Sequence, residues 1–226
     1  MSDPDISSDA SAATPTSPIP QLEPFITRRL LPLTAYDGSA AAARSDFDLN
    51  PTMRSGTVEG RAALSPAAVL VGLVEREAGL TVLLTRRADT LRKHSGQVAF
   101  PGGRMEVGET PAEAALRESW EEVGLDHRYV RLVGLGDSYE TGTGFSITPV
   151  VGFIRPGFTL RAYDAEVAEI FETPFAFLMD PANHQLRSMV APDGAERRFY
   201  AMEHDGRTVW GATAGMIRAL RERLFG

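Results

Sequence analysis

Apolar residues run unbroken through AAVLVGLVE (67–75), a stretch rich in β-branched side chains, and this predicts a buried strand. The turn residues EAG (77–79) separate it from LTVLLTRR (80–87), which reads as its paired strand. Residues 88–97 are polar and read as a loop, and VAFPGG (98–103) as a strand ending in a tight turn. YVRLVGLG (129–136) and ITPVVGFI (147–154) read as further strands. EVAEIFETPF (166–175) reads as a strand running into a proline-started turn, and HQLRSMVA with RRFYAMEH as a hairpin around Pro192-Asp193-Gly194. Between them lies a helix. Thr110 is its N-cap, Pro111 its first position, Glu113 completes a capping box, and Gly124 follows Val123 as C-cap. A second helix spans 212–225, where Met216, Ile217, Leu220 and Leu224 recur at helical spacing.

The pattern weakens towards the N-terminus. Residues 1–23 are rich in Ser, Ala, Pro and Asp and read as a disordered tail. Residues 24–65 read as an extension with one short helix, PFITRRLL (24–31), and irregular chain over 34–60. The folded domain is expected over 66–226. A net charge of -7 lacks the basic footprint of a general nucleic-acid binder. The absence of cysteine excludes disulfides, thiolate zinc sites and cysteine nucleophiles. No apolar run approaches the ~18 residues needed to span a bilayer, and the N-terminus lacks the features of a signal peptide, so a cytoplasmic protein is expected. A homodimer remains open.

On the 110–124 helix, at about 100° per residue, Glu118, Glu121 and Glu122 fall within about 100° of arc. Ala114 and Ala115 share that side, while Leu116, Trp120 and Val123 fall opposite, on what is expected to be the core face. Clustered carboxylates repel, and the arrangement makes sense around a hard cation that prefers oxygen ligands. By itself, ExxEE reads more readily as a solvated acidic face. The surrounding spacing is more specific: Gly103, five residues, Glu109, seven residues, Arg117-Glu118, two residues, Glu121-Glu122, one residue, Gly124-Leu125. This resembles the complete signature of the Nudix family. Ser119 departs from it, standing where a larger aliphatic residue is usual.

The resemblance implies an α/β fold, an α/β/α sandwich around a central mixed β-sheet, and hydrolysis of a nucleoside diphosphate linked to a further group. It implies Mg²⁺ or Mn²⁺ as cofactor, with Glu118 and Glu122 as leading ligands, Glu121 as a third, and the Gly102 carbonyl as an added oxygen. Arg117 resembles the arginine that orients the glutamates; an ion pair with Glu109 is a compatible structural role. A metal-assisted attack needs a base to take the water proton. Glu118 is the first candidate, and Glu166 and Glu169 are candidates for a distal carboxylate.

The preceding segment, LLTRRADTLRKHSGQVAFPGG (83–103), resembles the extended motif of the coenzyme A pyrophosphatase branch of the same family. Arg86, Arg87, Arg92, Lys93 and His94 gather positive charge ahead of the glutamates, and the arginine fork suits phosphate. Arg87, Arg92, His94 and Gly103 are therefore the candidate substrate contacts, although any of these side chains equally suits bracing the loop. Phe145 or Tyr139, flanking the Gly/Thr-rich stretch 137–145, suits either adenine stacking or ordinary packing. The expected partner is a small molecule: coenzyme A or a thioester of it, with ADP-ribose, NADH or a nucleoside triphosphate as alternatives. A non-catalytic binding module is the remaining reading, and the presence of all three glutamates argues against it.

Overall fold

A computed structural model describes residues 13–38, 42–53, 64–89, 96–191 and 194–226. The first predicted strand becomes β2 (Ser65–Arg76), the longest in the fold, preceded by a two-residue β1 (Arg44–Ser45). Its partners are β3 (Gly79–Arg87), β5 (Gly102–Arg104) and β8 (Phe145–Ile154). β8 runs parallel to β2 from Ser65 to Val74, and β3 pairs antiparallel with its last residues, Leu73–Arg76. Nearer the start of β2, over Ala67–Val69, β5 takes the place of β3. The sheet thus forks, and the Gly102-Gly103 turn lies at the fork. The short β4 (Val98–Ala99) and β9 (Val167–Pro174) pair with β3, while β6 (Val130–Leu135) and β7 (Tyr139–Glu140) pair with β8. β1 pairs with β7. A separate antiparallel sheet holds β10 (Gln185–Val190), β11 (Glu196–His204) and β12 (Arg207–Trp210).

Strand alternation builds two cores. Val69, Val71 and Leu73 face the helices α1 (Ile19–Arg29), α3 (Phe175–Met179) and α4 (Ala212–Phe225), together with Phe153 of β8. Ala68, Leu70 and Val74 face α2 (Pro111–Val123), together with Val150 and Ile154. This is the expected three-layer α/β/α arrangement around a mixed sheet. Each fully buried Leu or Phe contributes about 1.5–3 kcal/mol to holding it.

The N-terminal helix differs from expectation. It begins at Ile19 rather than Pro24 and contains two prolines, Pro20 in its first turn and Pro24 inside. Burial of Leu22, Phe25 and Ile26 outweighs the hydrogen bond that Pro24 cannot make. Phe25 stacks on Phe225 of α4 at 5.2 Å, so the extension shares the main core.

Candidate active site

Local chemistry fixes α2 as the sequence indicates. Thr110 Oγ1 accepts from the Glu113 N–H, Glu113 Oε2 accepts from the Thr110 N–H at 2.8 Å, and Gly124 closes the helix at φ 66°. The orientation of the helix differs from the expected one. Its buried side chains are Pro111, Ala114, Ala115, Ser119, Glu122 and Val123, whereas Trp120 is 57% exposed and Leu116 only half-buried. Alanine and serine let the helix lie close against the sheet, with Ser119 Oγ donating back to the Ala115 carbonyl at 2.6 Å. The large Trp120 is left outside. The carboxylate face and the core face therefore overlap instead of opposing, and Glu122 sits at their boundary with 5% exposure.

Arg117 organises the glutamates. Its Nε and Nη2 donate to Glu109 at 2.8 and 3.0 Å, its Nη1 to Glu118 Oε1 at 2.9 Å and Glu121 Oε2 at 3.1 Å, and its Nη2 also to the Arg104 carbonyl at 3.0 Å. A guanidinium has five N–H groups, and five acceptors surround this one. Both sequence readings of Arg117, orienting the glutamates and pairing with Glu109, are present in one side chain. The pair with Arg117 holds the Glu109 carboxyl below its usual range, and Glu109 in turn accepts from the Glu106 N–H at 2.8 Å.

The two glycines make room. A Cβ at Gly102 would lie 2.4 Å from the Ala68 carbonyl, and one at Gly103 would lie 2.5 Å from Glu118 Oε1. Gly103 thus forms a cradle for the Glu118 carboxylate that any side chain would fill. The Gly102 N–H donates to Glu122 Oε2 at 3.0 Å. Burial pushes the Glu122 carboxyl up to about 7, against the Gly102 hydrogen bond and with help from the neighbouring Glu118 charge. Burial likewise raises Glu118, opposed by Arg117. Among the described residues no three acidic, histidine or cysteine side chains converge as a ready-made metal cluster. The carboxylates are instead spread onto N–H donors.

Beyond the glycines a cleft of about 450 Å³ opens, lined by Arg87, Gly102, Gly103, Phe145 and Trp210 among others. Arg87 acts electrostatically on Glu122, and its buried Nε has no hydrogen-bond partner among the described residues. Arg92 and His94 lie outside the described residues. Glu166 and Glu169 part company. Glu169 is engaged by Arg207 at 2.5 Å and Arg86 at 3.7 Å, whereas the charge of Glu166 bears on both Glu118 and Glu122. Tyr139 is buried with its hydroxyl on Asp46, so it packs, while Phe145 lines the cleft. Arg104, Trp210 and Thr213 also line it, as does Asp46, which was not signalled by the sequence because only the fold carries that distant segment here.

The family model described as NUDIX domain matches residues 64–208, which contain the glutamate helix, both glycines and the forked sheet. The chain belongs to the Nudix family. It is similar to the protein named "Uncharacterized Nudix hydrolase NudL" of Cronobacter sakazakii, 42% identical over 176 residues that cover 76% of this chain and 87% of that one. The protein of the same name in an Enterobacter species is 41% identical over 156 residues, covering 68% of this chain and 80% of that one. A solved Nudix hydrolase from M. smegmatis, RenU, is 25% identical, with a TM-score of 0.40 over 50% of this chain and 73% of that chain. As a Nudix hydrolase the chain acts on pyrophosphate-containing substrates, the phosphorus-containing anhydrides this family cleaves, generally with divalent ions such as Mg²⁺ or Mn²⁺. No helix among the described residues is long and apolar enough to cross a membrane.

Proposed function

We propose that this Nudix hydrolase cleaves the diphosphate of coenzyme A or its thioesters, giving 3′,5′-ADP and 4′-phosphopantetheine or its acyl form. The observation that carries the reading is the segment Leu83–Gly103 ahead of the glutamate helix, whose Arg87 lines the cleft, acts by its charge on Glu122 and has no partner for its Nε among the described residues. Coenzyme A offers a diphosphate and a separate 3′-phosphate, and an arginine fork suits either.

The donor set fits a hard divalent cation, Mg²⁺ or Mn²⁺. Glu118, Glu121 and Glu122 are each held through one oxygen, which leaves the second oxygen of each for a ligand. These three carboxylates and the Gly102 carbonyl would hold the ion. Bound there, it supplies charge neutralisation on the diphosphate and makes a water more acidic. The chain does the rest. Arg117 fixes the Glu118 and Glu121 rotamers, and Gly103 leaves room for the Glu118 carboxylate. Arg87 binds phosphate. Glu118 or Glu166 takes the proton of the attacking water; Glu166 is the distal candidate because Glu169 is committed to Arg207.

Purified protein incubated with Mg²⁺ and coenzyme A should release 3′,5′-ADP, and none at high enzyme concentration would sink the proposal. Coenzyme A should be preferred over dephospho-coenzyme A. ADP-ribose, NADH and nucleoside triphosphates present the same diphosphate without the same flanking groups, and belong in the same panel. Glu122→Gln should abolish turnover while leaving the fold.

A further inference from the structure

We propose that Asp46 is a positioning residue of the substrate cleft: it holds the turn over residues 141–145 in place as a cleft wall, and so sets how tightly the substrate's arm beyond the diphosphate is bound. The inference rests on reading this cleft as the substrate cleft.

Asp46 belongs to the N-terminal segment and is brought to the cleft by a strap of contacts. β1 pairs with β7, Arg44 pairs with Glu222 of α4 at 3.0 Å, and Ser45 and Asp48 form a capping box around Asp46. Asn50 acts as a clamp to the other sheet: its side chain donates to the Arg198 carbonyl at 2.8 Å and accepts from the Arg198 N–H at 2.7 Å. Asp46 then uses both oxygens inward. Oδ1 accepts from the Tyr139 hydroxyl at 2.9 Å and Oδ2 from the Gly142 N–H at 2.8 Å. The turn closes on itself through the Thr141 N–H to the Phe145 carbonyl at 2.9 Å, and the Phe145 N–H to Thr141 Oγ1 at 3.1 Å. Thr141, Thr143 and Phe145 line the same cleft as Gly102 and Gly103.

Two further observations indicate that the node is built. Tyr139 Oη would lie 2.3 Å from a Cβ at Gly215, so the first turn of α4 carries a glycine where the hydroxyl enters. Helices disfavour glycine, and here it makes space for the node. Burial also pushes the Asp46 carboxyl above its usual range despite both hydrogen bonds.

Three full-length variants test this. Asp46→Ala removes both acceptors. Asp46→Asn can keep both contacts, because its carbonyl accepts from the Gly142 N–H while its amide donates to the Tyr139 oxygen. Tyr139→Phe removes one contact and serves if Asp46→Ala does not fold. Hydrogen exchange over residues 141–145, measured without substrate, should rise in Asp46→Ala and stay near wild type in Asp46→Asn. This readout decides the positioning role even if coenzyme A is not the substrate. KM and kcat are then read on the panel's fastest diphosphate. The loss of two hydrogen bonds should raise KM about tenfold in Asp46→Ala, with kcat within about threefold, and Tyr139→Phe should fall between. Unchanged exchange in Asp46→Ala would overturn the proposal, as would a loss carried by kcat with KM unmoved.

Discussion

Glu122 offers a sharp test of the site, because its burial should make the metal-free protein less stable as the pH rises. Its carboxyl goes from an ordinary 4.5 to about 7 on folding. The native state therefore holds a proton that the unfolded chain has released, and stability falls with rising pH between these two values. Each tenfold step in acidity is worth about 1.36 kcal/mol, so the full penalty, reached above pH 7, is about 3 kcal/mol. Glu122→Gln keeps the shape and the acceptor for the Gly102 N–H but cannot ionise. Urea unfolding in chelator across pH 4.5–8.5 should show the two proteins similar in stability near pH 5. The variant should then become the more stable by up to about 3 kcal/mol at pH 8. Saturating Mg²⁺ should reverse the order, since an ion held by the ionised carboxylate stabilises only the wild type. A stability difference that does not change with pH would refute the reasoning, because it would mean that Glu122 is ionised in both states.

Arg117→Lys replaces five directed donors by three on a flexible stem, and should cut kcat/KM by at least about tenfold, seen in steady-state kinetics. Gly103→Ala should cost at least as much activity, because its methyl group occupies the Glu118 cradle, while circular dichroism shows the fold retained; wild-type turnover would exclude the cradle. Glu166→Gln should lower kcat, whereas Glu169→Gln should leave kcat unchanged and lower the melting temperature through loss of the Arg207 pair. Arg87→Ala should narrow the preference for coenzyme A over dephospho-coenzyme A, measured as a ratio of kcat/KM values.

The glutamate helix was legible because its signals are local. Thr110, Pro111, Glu113 and Gly124 specify its ends without reference to the rest of the chain. The long strands were legible for the same reason: their apolar runs persist over many residues. The facing of α2 was not. Periodicity places Trp120 opposite the carboxylates but cannot say which side meets the sheet, and close approach through Ala114, Ala115 and Ser119 decided it. The start of α1 was hidden by Pro20 and Pro24, whose cost is met by packing against α4. β1 and β7 are two residues long, and β1 exists through pairing with chain 95 residues away. Asp46 escaped notice likewise, since its partners lie 93 and 96 residues away. The candidate metal ligands could be named from the family resemblance, but the way Arg117 divides its donors among the glutamates could not.

The outward placement of Trp120 has a practical consequence for spectroscopy. The chain has two tryptophans. Trp120 stands 57% exposed on the outer side of α2, while Trp210 packs at a tilt against Phe199, 5.4 Å between ring centres, and lines the cleft. Their emission should differ in colour and in accessibility to a quencher, with the solvent-facing indole redder and more easily quenched. Replacing Trp120 with phenylalanine leaves one tryptophan, on the wall of the cleft. The protein thus carries its own optical reporter of cleft occupancy, separable from a constant background by one surface substitution.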